Sequence, residues 1–375
     1  MNPTMRVVSG GVLLHNVHKT KPIAFENVIK TPNPEAQTHL KECSARRQNL
    51  LQSLEGENAA AINTVTDEYL PHAIGLLESV KEASFLETNG PLSFSWTSIF
   101  SKTTSKSFTL DDLQFDVCMI MHSKAAALCS LAAHQLDGAG IAEFDEISKS
   151  AGLNLRTAAG IWDHISSNML PLRILPHQRP LEALVPMSRA MSQLCCGQVT
   201  QIMLRKALDM GTSKKVVASL CIGCGQLFSG AGETLTQLKP DLDAVNPVLL
   251  AVTKFNPLYY KALALKCMGQ YHWAEGQYGA GVAFLRGALA AFAFVKEFPG
   301  DRQMESMLGK FQQEHRATAI LLQEYEKDNK AIYFEFVDMS LVVLPEGKTM
   351  VTALPYEPPA AAWRCDLLAP GGHAL

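Results

Sequence analysis

SRAMSQLCCGQVTQIMLRKALDMGTSKKVVASLCIGCGQLFSG, Ser188 to Gly230, contains no proline and repeats its apolar residues every three or four positions. A helix that presents one face to a core needs that spacing. The stretch reads as two helices, Ser188 to Leu208 and Ser213 to Phe228. Gly211 ends the first, and Thr212 or Ser213 caps the second. Cys195, Cys196, Gly197, Cys221, Gly223, Cys224 and Gly225 are small enough to let flanking helices approach closely. Lys206, Lys214 and Lys215 place positive charge beside apolar Met203, Val216 and Leu220. Such a pair suits the middle of an all-helical domain and can carry a groove for an amphipathic helix.

Working outward, the 375 residues are 47% apolar and 18% charged, enough for a large core and wrong for a disordered chain. A net charge of -3 argues against general nucleic-acid binding. The start, MNPTMRVVSGGVLLHNVHKTK, lacks a secretory signal, and no stretch reads as long and uncharged enough to span a bilayer. Nine cysteines, an odd number spread through predicted helices, read as buried thiols in a reducing compartment. Cys221 and Cys224 form a C-x-x-C pair with no second pair nearby to complete a zinc site.

Toward the N-terminus, VVSGGVLL and PIAFENVI within Val7 to Ile29 have strand character. Glu42 to Leu54 and Glu57 to Val80 are predicted helices, with Pro71 expected to kink or break the second. Pro91 to Phe100 reads as a connector pinned by Phe94 and Trp96, and Ser101 to Ser107 as exposed loop. Thr109 is the expected cap of a buried helix, Leu110 to Leu136. Asp145 to Asn168 is a further helix, and Pro171 to Pro180 a connector. Beyond the central pair, Ala231 to Pro247 reads as a helix end and loop. Asn256 to Phe298 forms two antiparallel helices turning near Gly276 to Gly281, of the tetratricopeptide sort but without a readable repeat. Arg302 to Asn329 is another helix. From Ile332 onward, IYFEFV, SLVVL and MVTAL suit irregular chain packed along the helices.

No G-x-S-x-G elbow, phosphate-binding loop or H-E-x-x-H motif occurs. GQYGAGVAF, Gly276 to Phe284, lacks both the lysine and the preceding strand of a phosphate loop. His122, His134, His164, His272 and His315 each lie on predicted helices without a second histidine at i,i+4. A thiol enzyme built on Cys195, Cys196, Cys221 or Cys224 requires an exposed thiol of depressed pKa. The expectation is therefore no enzyme, metal, cofactor or small-molecule substrate.

Five segments together resemble the ALIX/Bro domain family: FSWTSIF at Phe94 to Phe100, LRTAAGIWDHI at Leu155 to Ile165, CCGQVTQIMLRKAL at Cys195 to Leu208 with KKVVASL behind it, YHWAEGQYGAGVAFLRGA at Tyr271 to Ala288, and DNKAIYFEFV at Asp328 to Val337. They stand in the family's order over roughly residues 18 to 358. The resemblance implies an all-α fold: a curved, boomerang-shaped helical solenoid with a tetratricopeptide-like core and a small N-terminal β-sheet. It implies one domain over 1–358, with a β element at 7–29, a helical body at 37–329 and an extended segment at 330–358 packed on the helices. A short, partly flexible tail follows at 359–375.

It further implies a non-enzymatic module that docks the C-terminal amphipathic helix of an ESCRT-III subunit in endosomal sorting or membrane remodelling. Such a module would be cytoplasmic and recruited to endosomal membranes. Met203, Val216 and Leu220 match the family's apolar contacts, Lys206 a basic contact and Asp145 an acidic residue at the groove. Tyr333 matches a tyrosine tied, in a longer relative, to tyrosine-kinase adaptors; here it reads first as a packed aromatic. Met203 stands where a relative has an aromatic, and Val216 is smaller than an isoleucine. A coiled-coil arm, a proline-rich tail, a prenylation cysteine and a myristoylation glycine are not expected, so membrane recruitment would come through partners or a weak basic surface. The competing reading is a scaffold or adaptor that keeps the fold but binds other partners.

Overall fold

The computed structural model describes residues 5–83, 87–140, 143–170 and 178–368. Most of the expected 171–180 connector and the last seven residues of the tail lie outside them.

The N-terminal β element is smaller than expected. Only β1 (Arg6–Val7) and β2 (Leu13–Leu14) pair, antiparallel, around a turn in which Gly11 takes a left-handed φ of +77°. PIAFENVI is not a strand. Its centre forms α1 (Phe25–Val28), whose Phe25 is fully buried.

A long antiparallel array follows. It comprises α2 (Pro34–Glu55), α3 (Ala59–Glu82), α4 (Leu113–Leu136), α5 (Phe144–His164), α6 (Val185–Asp209), α7 (Lys214–Thr236), α8 (Pro247–Ala274), α9 (Tyr278–Ala291) and α10 (Glu305–Asp328). From α2 to α10 each helix packs on its neighbours in sequence, which makes the array a solenoid.

Pro71 does not break α3, which runs unbroken from Ala59 to Glu82. Around it Tyr69, Leu70, Ala73 and Leu76 are at most 1% exposed, and tertiary packing of this kind outweighs one missing backbone donor. The connector expected at Pro91 to Phe100 holds a buried strand, β3 (Phe94–Thr97), paired with β4 (Ser107–Leu110). Thr109 therefore lies in β4, opposite Ser95, and does not cap α4. Asp112 caps it, its carboxylate accepting from the Gln114 and Phe115 amides. The central pair is longer than its sequence signals, with Pro186 inside the first turn of α6 and α7 running on to Thr236. Likewise α8 begins at Pro247 and continues through Pro257.

Contrary to the sequence reading, three helices, at Leu113–Leu136, Lys214–Thr236 and Tyr278–Glu297, are long and apolar enough to cross a membrane. Among these described windows 94%, 44% and 50% are buried within the protein, so packing in the array accounts for the apolar character of the first.

After α10 a single turn leads to Phe334, which has a left-handed φ of 56°. Residues 334–368 then run back over the array as an extended strap. On α9 the Gly279 amide donates to the Glu335 carboxylate of the strap, while the strap amides of Lys348, Leu354 and Ala362 donate to the carbonyls of Ser219 on α7, Arg156 on α5 and Pro71 on α3. The strap thus meets every second helix. The expected flexible tail from 359 is packed at least to Leu368: Trp363 stacks on His39 at 4.8 Å, Arg364 pairs with Glu78, and Leu367 is fully buried.

Candidate functional site

Between α5, α6 and the strap lies a cleft of about 700 Å³. The 3.6-residue period brings Ser148, Gly152, Leu153 and Arg156 of α5 to one wall, and Val199, Met203, Lys206 and Met210 of α6 to the other. Met350 and Val351 of the strap complete it. Large apolar side chains are open to solvent here: Leu153 is 58% exposed, Met203 38%, Met210 73% and Met350 68%. Four exposed apolar side chains in one concavity, with a charged rim, have the form of a protein-docking site.

The rim is ion-paired. Lys206 of α6 reaches Asp145 in the first turn of α5, and Lys149 binds the same carboxylate at 3.0 Å and Glu146 at 2.6 Å. Hydrogen bonds from Lys206 and then Lys149 hold the Asp145 carboxyl below its usual range. Those that Lys149 donates to Glu146 and Asp145 raise it to about 12. All these groups are at the surface, so the pairing fixes positions more than it stabilises the fold. Arg156 donates from Nε to the Thr352 carbonyl at 3.0 Å and has no carboxylate within ion-pair distance among the described residues.

Met203, Lys206 and Asp145 are therefore brought together. Val216 is 43% exposed on the first turn of α7, beyond the Gly211 turn and outside the lining of the cleft. Leu220 does not present a contact face: it is 8% exposed and packs in the main core. Leu153, Arg156, Met210 and Met350 were not legible as site residues. In the sequence Leu153 and Arg156 belong simply to the helix expected at Asp145 to Asn168, and Met350 to chain packed along the helices.

Tyr333 stands apart. It stacks on Tyr278 at 3.4 Å between centroids and meets Trp273 edge-on at 5.6 Å. Its hydroxyl is pushed up, first by its hydrogen bond with Tyr278. It is a packed aromatic, 37% exposed.

The thiols proposed for catalysis are all buried. Cys195 and Cys196 are 1% and 7% exposed, and Cys221 and Cys224 are fully covered. Burial raises all four, Cys196 to about 11. Cys129 moves the other way, its hydrogen bond with Cys195 at 3.5 Å acting against its desolvation. It too has no exposed surface for a substrate to reach.

Residues 24–365 match the BRO1-like domain family. The chain belongs to that family. Curated relatives include the BRO1 domain-containing protein BROX of Pongo abelii and of Homo sapiens. Each is 22% identical over 371 residues, covering 93% of this chain and 87% of the relative. Among solved structures, the ALIX BRO1 domain in complex with CHMP4C aligns at TM-score 0.70 and 18% identity, covering 94% of this chain and 98% of that one. A structure described as the basis for endosomal targeting by the Bro1 domain aligns at TM-score 0.65 and 16% identity, covering 94% and 93%. The BRO1-like fold is thus shared over nearly the whole chain, and the curved helical solenoid with its small N-terminal strands is the family's architecture.

Proposed function

We propose that this BRO1-like domain is a non-enzymatic binding module that receives the C-terminal amphipathic helix of an ESCRT-III subunit along the surface formed by α5, α6 and the start of α7. The observation that carries this reading is the open apolar cleft holding Met203, bounded by Lys206 and Asp145, with Val216 exposed just beyond it. The family supports it, since the ALIX relative is solved in complex with CHMP4C. Met203 and Val216 take the apolar ridge of the helix, and the Lys206–Asp145 pair sets its orientation through charge. Recruitment to endosomal membranes then follows from the partner, in keeping with the endosomal targeting ascribed to the Bro1 relative.

Burial of each apolar contact contributes about 1.5 to 3 kcal/mol before ordering costs are subtracted, so the affinity belongs in roughly the micromolar range. Titration of the full chain against C-terminal peptides of ESCRT-III subunits tests the reading. Saturable binding that falls at least about tenfold in Val216→Asp, with circular dichroism unchanged, is expected. A folded wild type that binds none of the peptides would overturn it.

A further inference from the structure

We propose that the C-terminal strap is a working wall of this groove, and that Met350 makes the groove an adaptable, methionine-lined acceptor for helices carrying a carboxylate toward Arg156. The inference rests on the function proposed above and adds the wall, its chemistry and the charge it selects.

Val351 is 8% exposed and anchors the chain, while neighbouring Met350 is 68% exposed and lines the cleft with Met203 and Met210. The strap is tied on both sides of Met350. Lys348 donates to the Ser219 carbonyl at 2.9 Å, and Leu354 donates to the Arg156 carbonyl at 3.1 Å. Two glycines admit the backbone this closely. A Cβ at Gly223 would overlap the Lys348 carbonyl, and one at Gly160 the Leu354 carbonyl. This segment is therefore held as part of the groove, with Met350 directed outward from it.

Its chemistry suits helices of varied side-chain shape. Methionine is unbranched and polarizable, so three methionines on facing walls can repack around leucine, isoleucine or methionine ridges. The charge is more selective. Asp145 is already shared by Lys149 and Lys206. Arg156, bound to the strap carbonyl of Thr352 through Nε, has no carboxylate of its own among the described residues. An incoming aspartate or glutamate supplies one.

The test uses the full chain and whichever ESCRT-III C-terminal peptide binds the wild type, with Val216→Asp as reference. Met350→Asp changes an exposed residue and is expected to weaken binding at least about tenfold, whereas Met350→Leu stays within about threefold. Arg156→Gln weakens the native peptide but not a peptide whose acidic residues are replaced by glutamine, a coupling that mere strap damage would not produce. If Met350→Asp and Arg156→Gln bind like wild type while Val216→Asp loses binding, the strap proposal falls and the groove reading stands. If Val216→Asp also binds normally, or the wild type binds no peptide, both fall.

Discussion

Buried polar side chains carry much of what is specific to this chain at the scale of single residues. His122 is fully buried and neutral: its Nε2–H donates to the Glu182 carbonyl at 3.0 Å, and its Nδ1 accepts from Trp162 Nε1 at 3.1 Å. Burial depresses its pKa to about 4. As pH falls below about 6.5, the unfolded chain takes up a proton that the native state refuses. Stability is therefore lost as pH falls through the window from about 6.5 to 4, by about 2 kcal/mol at pH 5 from this residue alone. Urea unfolding of wild type and His122→Asn at pH 7 and pH 5 checks this, the variant being expected to show the smaller pH dependence.

Arg47 and Asp116 form a second buried centre, paired at 2.6 Å, with Trp96 Nε1 donating to the same carboxylate at 2.7 Å. Asp116→Ala leaves the guanidinium buried without its counter-charge and is expected to cost about 3 to 5 kcal/mol in denaturant unfolding. A cost below 1 kcal/mol would mean the pair is not closed in solution. No periodicity foretells such a pair, because its members are 69 positions apart and each looks like an ordinary charged residue on its own helix. Met203, expected as an apolar contact, is 38% exposed, whereas Leu220, expected beside it, is 8% exposed and lies in the core. Spacing puts Val216 and Leu220 on one face of α7, but only the packed array decides that the second lies inside.

Among the elements, the Asn58 and Asp112 caps follow local chemistry, whereas Thr109 lies in β4 and Pro71 does not end its helix. The Asn58 side chain accepts from the Ala60 and Ala61 amides at the start of α3, and Asn58→Ala is expected to lower stability by about 1 kcal/mol in thermal unfolding. Pro71 and Pro257 sit inside long helices, against their intrinsic preference. Each lies in a helix with a buried face, and packing set the outcome. Short strands were the least legible elements. FSWT resembles any aromatic connector until its partner SFTL, ten residues on, supplies the hydrogen bonds. The strap was visible as a change of period after Ile332 and as the packed segment that the family resemblance implies. Its route across α9, α7, α5 and α3 depends on contacts between residues as far apart as Ala362 and Pro71.

For the whole molecule, the solenoid was legible because each helix buries a face against its sequence neighbours, so the apolar period of nearly every helix reports the same architecture. The groove was half legible. The basic and apolar residues of α6 and α7 stood out, while the walls from α5 and the strap emerge only when the chain folds back on itself. The central claim concerns where a partner helix docks, and the methyl groups of the 14 methionines report on it directly. In a methyl-labelled sample titrated with an ESCRT-III C-terminal peptide, the resonances of Met203, Met210 and Met350 are predicted to shift together and saturably, while those of fully buried Met119 and Met121 stay in place. Saturable shifts that leave these three methionines unmoved would place the partner elsewhere and contradict the account.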